Sequence, residues 1–108
     1  RNSIIWGNTA TSSGNQIYVY AGCSVTLSYS CYANGANDVA GAVTPDNHIN
    51  TDPLFVGSGN YHLQATSPCI DTGNNSYIPA GITTDLDGKP RIYPEGGTVD
   101  MGAYEYQP

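Results

Sequence analysis

Two carboxylates stand two positions apart in the segment Asp85-Leu86-Asp87-Gly88-Lys89-Pro90-Arg91. Facing one cleft, with a separation of about 5–9.5 Å, such a pair could cleave glycosidic bonds. As alternating oxygens in a tight loop, Asp85 and Asp87 could instead hold calcium together with a backbone carbonyl. The full EF-hand spacing with its distal Glu is missing. The plain alternative is an Asp-Gly turn with solvated carboxylates. His48 and His62 are isolated in the chain and fall in no nucleophile motif. A polysaccharide lyase needs a basic residue to remove a proton next to a carboxylate. The chain has one Lys and two Arg; Lys89 lies in an expected turn, and Arg91 is better explained as a clamp. No catalytic residue is assigned, and the chain is not expected to be an enzyme in its own right.

Arg91 is the one Arg of the C-terminal third, among many carboxylates. It is expected to form a structural ion pair with Asp71, Asp100 or Glu105. A bidentate pair of this kind would pin the tail; a solvated surface Arg is the alternative. Cys23, Cys31 and Cys69 match no zinc spacing. They read either as small buried hydrophobes or as one disulfide plus a free thiol, with Cys31–Cys69 the preferred pair. Nine Tyr and one Trp in an acidic, Lys-poor chain suit sugar stacking. Tyr18 and Tyr20 share one face of an expected strand, and Tyr104 and Tyr106 another. A Tyr ladder packed inside the fold is the alternative.

These residues need a scaffold, and composition limits it. The chain has 108 residues, 39% hydrophobic and 11% charged, enough for one modest core. Helix formers are scarce, while Tyr, Val, Ile and Thr favour strands, and 13 Gly with seven Pro mark frequent turns. A net charge of −6 with three fixed cations argues against nucleic acid and anionic membranes as partners. No apolar run approaches the roughly 20 residues that span a bilayer. Arg1 begins in mid-pattern without a start Met, so upstream neighbours are expected.

Ile4, Leu27, Ile49, Ile70 and Ile92 are spaced 23, 22, 21 and 22 residues apart. Coils of a β-solenoid, each with three short strands, would stack such residues in an interior ladder. Val25, Leu27, Tyr29 and Cys31 alternate with period two and are expected to point inward. The stretch from Tyr32 to Asn47 reads as a bulging loop. From Thr66 onward turn signals crowd together, which suits a tail covering the open strand edge. The expected organisation is one all-β unit, with right-handed parallel β-helix coils over 1–65 and an irregular C-terminal cap and wrapping tail over 66–108.

Five motifs follow one another in order. They are Asn2-Ser3-Ile4-Ile5-Trp6-Gly7-Asn8, Asp52-Pro53-Leu54-Phe55, Leu63-Gln64-Ala65-Thr66-Ser67-Pro68-Cys69-Ile70-Asp71-Thr72-Gly73, Asp85-Leu86-Asp87-Gly88-Lys89-Pro90-Arg91 and Val99-Asp100-Met101-Gly102-Ala103-Tyr104-Glu105. Together they resemble the C-terminal part of bacterial secreted right-handed parallel β-helix proteins, including the choice-of-anchor Q type. The resemblance implies a pectate-lyase-like fold and an extracellular or cell-surface location, and carries no catalytic residue onto this chain. The expected function is a non-catalytic structural and surface-display module, adhesin-like or carbohydrate-associated. A self-assembling fibre subunit and a fragment of a polysaccharide-active enzyme are the alternatives. Expected partners are upstream coils of a parent chain or neighbouring copies, with a glycan as a further candidate. No cofactor is expected, with calcium the candidate cation.

Overall fold

The computed structural model describes residues Arg1 to Pro108. The chain is all-β, with short strands and no α-helix. Strands β1 (Ile4–Ile5), β2 (Ile17–Tyr18) and β3 (Val25–Ser28) are followed by β4 (Cys31–Tyr32), β5 (Val39–Ala40) and β6 (Val43–Asp46). The second set runs parallel to the first in the same order: β1 with β4, β2 with β5 and β3 with β6. Strands β7 (Phe55–Gly57) and β8 (Asn60–Leu63) then form an antiparallel hairpin.

The expected right-handed parallel β-helix is overturned by this pairing. There are four separate two-stranded sheets, one of them antiparallel, and no continuous solenoid sheet. The regular ladder fails with it. Ile4 lies opposite Cys31 and Leu27 opposite Pro45, and only an isolated bridge joins Cys31 to Ile49. Paired strands are offset by 27, 22 and 18 residues. Unequal connections between strands cause the drift, so a constant period does not mark spatial neighbours.

Two local readings also change. Tyr29 adopts φ +50°, a left-handed conformation that ends a strand. The run from Val25 to Cys31 therefore breaks into β3 and β4, and Val25 turns out to solvent. The stretch read as a loop carries β5 and β6. Pro45 is tolerated there because β6 pairs on one side only.

Beyond Leu63 regular structure is sparse. Asn75–Tyr77 forms one 3-10 turn, capped by Asn74, whose side chain accepts the Ser76 N–H at 2.9 Å. An isolated antiparallel bridge joins Thr84 and Pro90. This irregular stretch nevertheless supplies much of the interior. Cys31, Leu63, Cys69 and Met101 form the central buried cluster, with Ile4, Trp6, Ile49 and Phe55 packed around it. Val99 is also fully buried. Residues 69–73 and 99–102 run side by side, the Met101 N–H donating to the Cys69 carbonyl at 3.0 Å and the Gly73 N–H to the Val99 carbonyl at 2.8 Å.

Gly73 permits that approach, because a Cβ there would meet Val99 Cγ1 and the Val99 carbonyl oxygen, each at 2.8 Å. Gly73→Ala is expected to lower the unfolding free energy by about 1–3 kcal/mol. Gly57→Ala, whose Cβ would meet nothing within 4 Å, serves as the control. Urea denaturation of the two variants measures the difference.

Candidate functional site

The tail is organised by carboxylates that accept backbone hydrogens. Arg91 donates through Nη1 to Glu105 Oε2 at 3.2 Å and through Nη2 to the Gly102 and Asp100 carbonyls at 2.8 and 3.4 Å. Of the three expected partners it pairs with Glu105. It reaches Asp100 only through the main chain, and Asp71 is exposed. Glu105 also accepts the Asp100 N–H at 3.0 Å and the Tyr93 N–H at 3.1 Å. Asp100 accepts the N–H groups of Asp71 at 2.7 Å and Tyr106 at 2.6 Å. Asp85 takes three: Asp87 and Lys89 on one oxygen and Glu105 on the other.

Ligand oxygens of Asp71, Asp100 and Glu105 lie within 4.8 Å of one another, a spacing compatible with a cation. Both oxygens of Asp100 and both of Glu105 already accept hydrogens, however, so a metal would have to displace those donors. Asp85 and Asp87, the calcium candidates, are drawn apart in role. Asp85 organises the turn, and Asp87 Oδ2 lies 2.6 Å from His62 Nε2. Burial pushes the Glu105 carboxyl up to about 7 and raises that of Asp100; the charge of Asp100 adds to the rise at Glu105 and that of Asp71 to the rise at Asp100, while N–H donors and Arg91 oppose both.

A concave surface of different character lies across the fold. A cleft of about 580 Å³ is walled by Trp6 beside β1, Phe55 and Tyr61 from the hairpin, and Leu86 and Tyr104 from the tail. Asn2, Ser3 and Asn8 add polar groups, and no lining residue is charged. The hairpin turn brings Phe55 and Tyr61 together edge to face, with ring centroids 5.3 Å apart. Tyr104 is backed by His62, whose ring stacks on it at 3.8 Å and 24°. His62 is fixed in turn, since Nδ1 lies 2.6 Å from Asn60 Oδ1 and Nε2 faces Asp87. Neither ring nitrogen is left over for a substrate proton. His62 is thus a positioning residue that holds Tyr104.

The expected stacking pair lies elsewhere. Tyr18 and Tyr20 are 64% and 72% exposed, on β2 and just after it, and do not line the cleft. His48 stacks on buried Tyr32 at 5.2 Å. Cys31 and Cys69 are both fully buried free thiols in the central cluster, and Cys23 is exposed. Sequence reading missed Phe55 and Tyr61 as a pair. Their signal was present in Phe55-Val56-Gly57-Ser58-Gly59-Asn60-Tyr61, a Gly-rich turn flanked by aromatics. Nothing local linked His62 to Asp87 or Tyr104. In comparisons with known proteins, the chain matches no family model, no curated protein and no solved structure.

Two variants test the carboxylate cluster. Arg91→Ala leaves Glu105 without its cation and is expected to cost about 3 kcal/mol at mildly alkaline pH, where Glu105 is ionised, and less at neutral pH, where the carboxyl can take up a proton instead, measured by urea denaturation. Glu105 holds its proton more tightly when folded than its ordinary value of 4.5 allows. Its stabilising contribution is therefore full below about 4.5 and is lost as pH rises through about 7. Glu105→Gln is expected to flatten that decline in unfolding free energy; an unchanged slope contradicts it.

Proposed function

We propose that the chain is a non-catalytic, carbohydrate-associated structural module of an extracellular bacterial protein, and that it holds a neutral sugar in the aromatic cleft. The observation carrying this reading is the cleft lining itself. Trp6, Tyr61 and Tyr104 offer ring faces and edges to the apolar side of a pyranose, and Asn2, Ser3 and Asn8 offer donors and acceptors to its hydroxyls. An uncharged lining in a chain of net charge −6 favours an uncharged ligand. Uronate polymers would meet repulsion with no cation in the cleft to offset it. The non-catalytic part of the reading is supported by the use of His62, Asp85, Asp100 and Glu105 in structural hydrogen bonds.

Trp6 is the only Trp in the chain and lines the cleft, so its fluorescence reports occupancy. Neutral oligosaccharides selected on a glycan array should shift its emission saturably. Tyr104→Ala should weaken binding about tenfold, while the double substitution Tyr18→Ala/Tyr20→Ala leaves it unchanged. Failure of every neutral glycan, or binding that depends on Tyr18 and Tyr20 instead, would refute the assignment.

A second reading, assembly with another chain, is favoured by the strand edges. β1, β2 and β3 each pair on one side only, and their free backbone groups can accept a further parallel strand. That strand would come from a longer parent chain or from a second copy. Light scattering across a concentration series should show mass growing with concentration if copies add to these edges; a constant monomer mass argues against self-assembly.

A further inference from the structure

We propose that Cys31 and Cys69 form a redox-switchable staple that fastens the strand region to the C-terminal tail, with Cys23 left as the free surface thiol. The two residues come from distant parts of the chain, Cys31 on β4 and Cys69 in the turn after Pro68, yet both belong to one buried four-residue cluster and both are 0% exposed. Cys31 Sγ donates to the Thr51 carbonyl at 3.3 Å, and the two thiols are close enough for each to shift the other's titration. Ser67 Oγ accepts the Cys69 N–H at 3.1 Å and is itself anchored on the Pro53 carbonyl. The turn carrying Cys69 is therefore held in place before any cross-link exists.

The pair is also electronically unequal. The neighbouring Cys31 lowers the Cys69 thiol, while the neighbouring Cys69 and burial raise Cys31. Cys69 is thus the better attacking sulfur. The reaction uses a low-molecular-weight disulfide as oxidant. While the buried cluster is open, as during refolding, the Cys69 thiol gives its proton to water, and the thiolate attacks one sulfur of the oxidant, releasing a small thiolate. Cys31 then loses its proton and attacks Cys69 Sγ in the mixed disulfide. A second small thiolate leaves, and both leaving groups take up protons. Two protein thiols are oxidised and one small disulfide is reduced to two thiols.

The staple would close the chain between positions 31 and 69. It also reaches the tail, because the Cys69 carbonyl holds the Met101 N–H and Gly73 holds Val99. The Cys23→Ser chain, refolded from denaturant in mixed reduced and oxidised glutathione, is the test. Peptide mapping after alkylation should show Cys31 joined to Cys69, and the oxidised form should melt roughly 10 °C or more above the reduced one, an increase removed by reductant. In the wild-type monomer Cys23 should remain open to alkylation. Recovery of both thiols in free form after refolding overturns the proposal. So does a cross-linked protein that melts no higher than its reduced form, or a wild-type monomer in which Cys23 takes the place of either partner.

Discussion

Arg91 and Glu105 meet beneath the surface, with side-chain exposures of 13% and 0%, and the C-terminal half is arranged around that meeting. Only 14 of 108 residues are buried, so apolar burial alone leaves much irregular backbone to be satisfied. Polar acceptors fill the gap. Glu105, Asp100 and Asp85 together receive seven backbone N–H groups from residues that belong to no regular ladder. A carboxylate can serve several donors at once, where a carbonyl usually serves one or two. The arrangement costs desolvation, visible in the raised titration of Asp100 and Glu105. Arg91 offsets part of that cost and adds bonds to two carbonyls.

The cleft inherits its shape from the same cluster. Tyr104 precedes Glu105, whose N–H is fixed on Asp85, and Leu86 follows Asp85. The Leu86 N–H reaches the Ala103 carbonyl at 3.2 Å. The tail wall is therefore set by a polar network whose charged members, Asp85, Arg91, Asp100 and Glu105, do not line the cleft. On the other side, Gly102 packs against Ile4, where a Cβ would come within 2.8 Å of Ile4 Cδ1. His62 and Asp87 tie the hairpin to the tail between these walls. Such support from both sides is how a shallow surface keeps aromatic rings in fixed orientations.

The all-β character was legible from composition, because strand formers and turn residues dominate while helix formers are few. The grouping of Arg91 with nearby carboxylates was legible from scarcity of cations, and the choice of Glu105 over Asp71 was not. That choice depends on the chain folding back so that Glu105 lies beside Arg91 and Tyr93. The architecture departs from the expected solenoid because an aliphatic spacing near 22 residues is not a spatial repeat. Connections of unequal length shifted the partners to Ile4 with Cys31 and Leu27 with Pro45. Tyr29 hid its left-handed backbone, since the residue type gives no sign of it. Period-two alternation across Val25 to Cys31 therefore suggested one strand where there are two. The cleft escaped for a different reason: its walls come from residues near 6, 55–61 and 86–104, and no local pattern links segments so far apart.

Val99 and Met101 sit at the centre of the interior, and the Gly102 N–H closes onto the Asn2 carbonyl at 2.8 Å. A chain made N-terminus first thus presents β1 to β6 long before the groups that complete their packing arrive. Until residues 99–106 emerge, Ile4, Cys31 and Cys69 lack their neighbour Met101, and the early strands have little to bury against. Completion of the interior therefore waits until residues 99–106 are free to fold back onto β1 and β4.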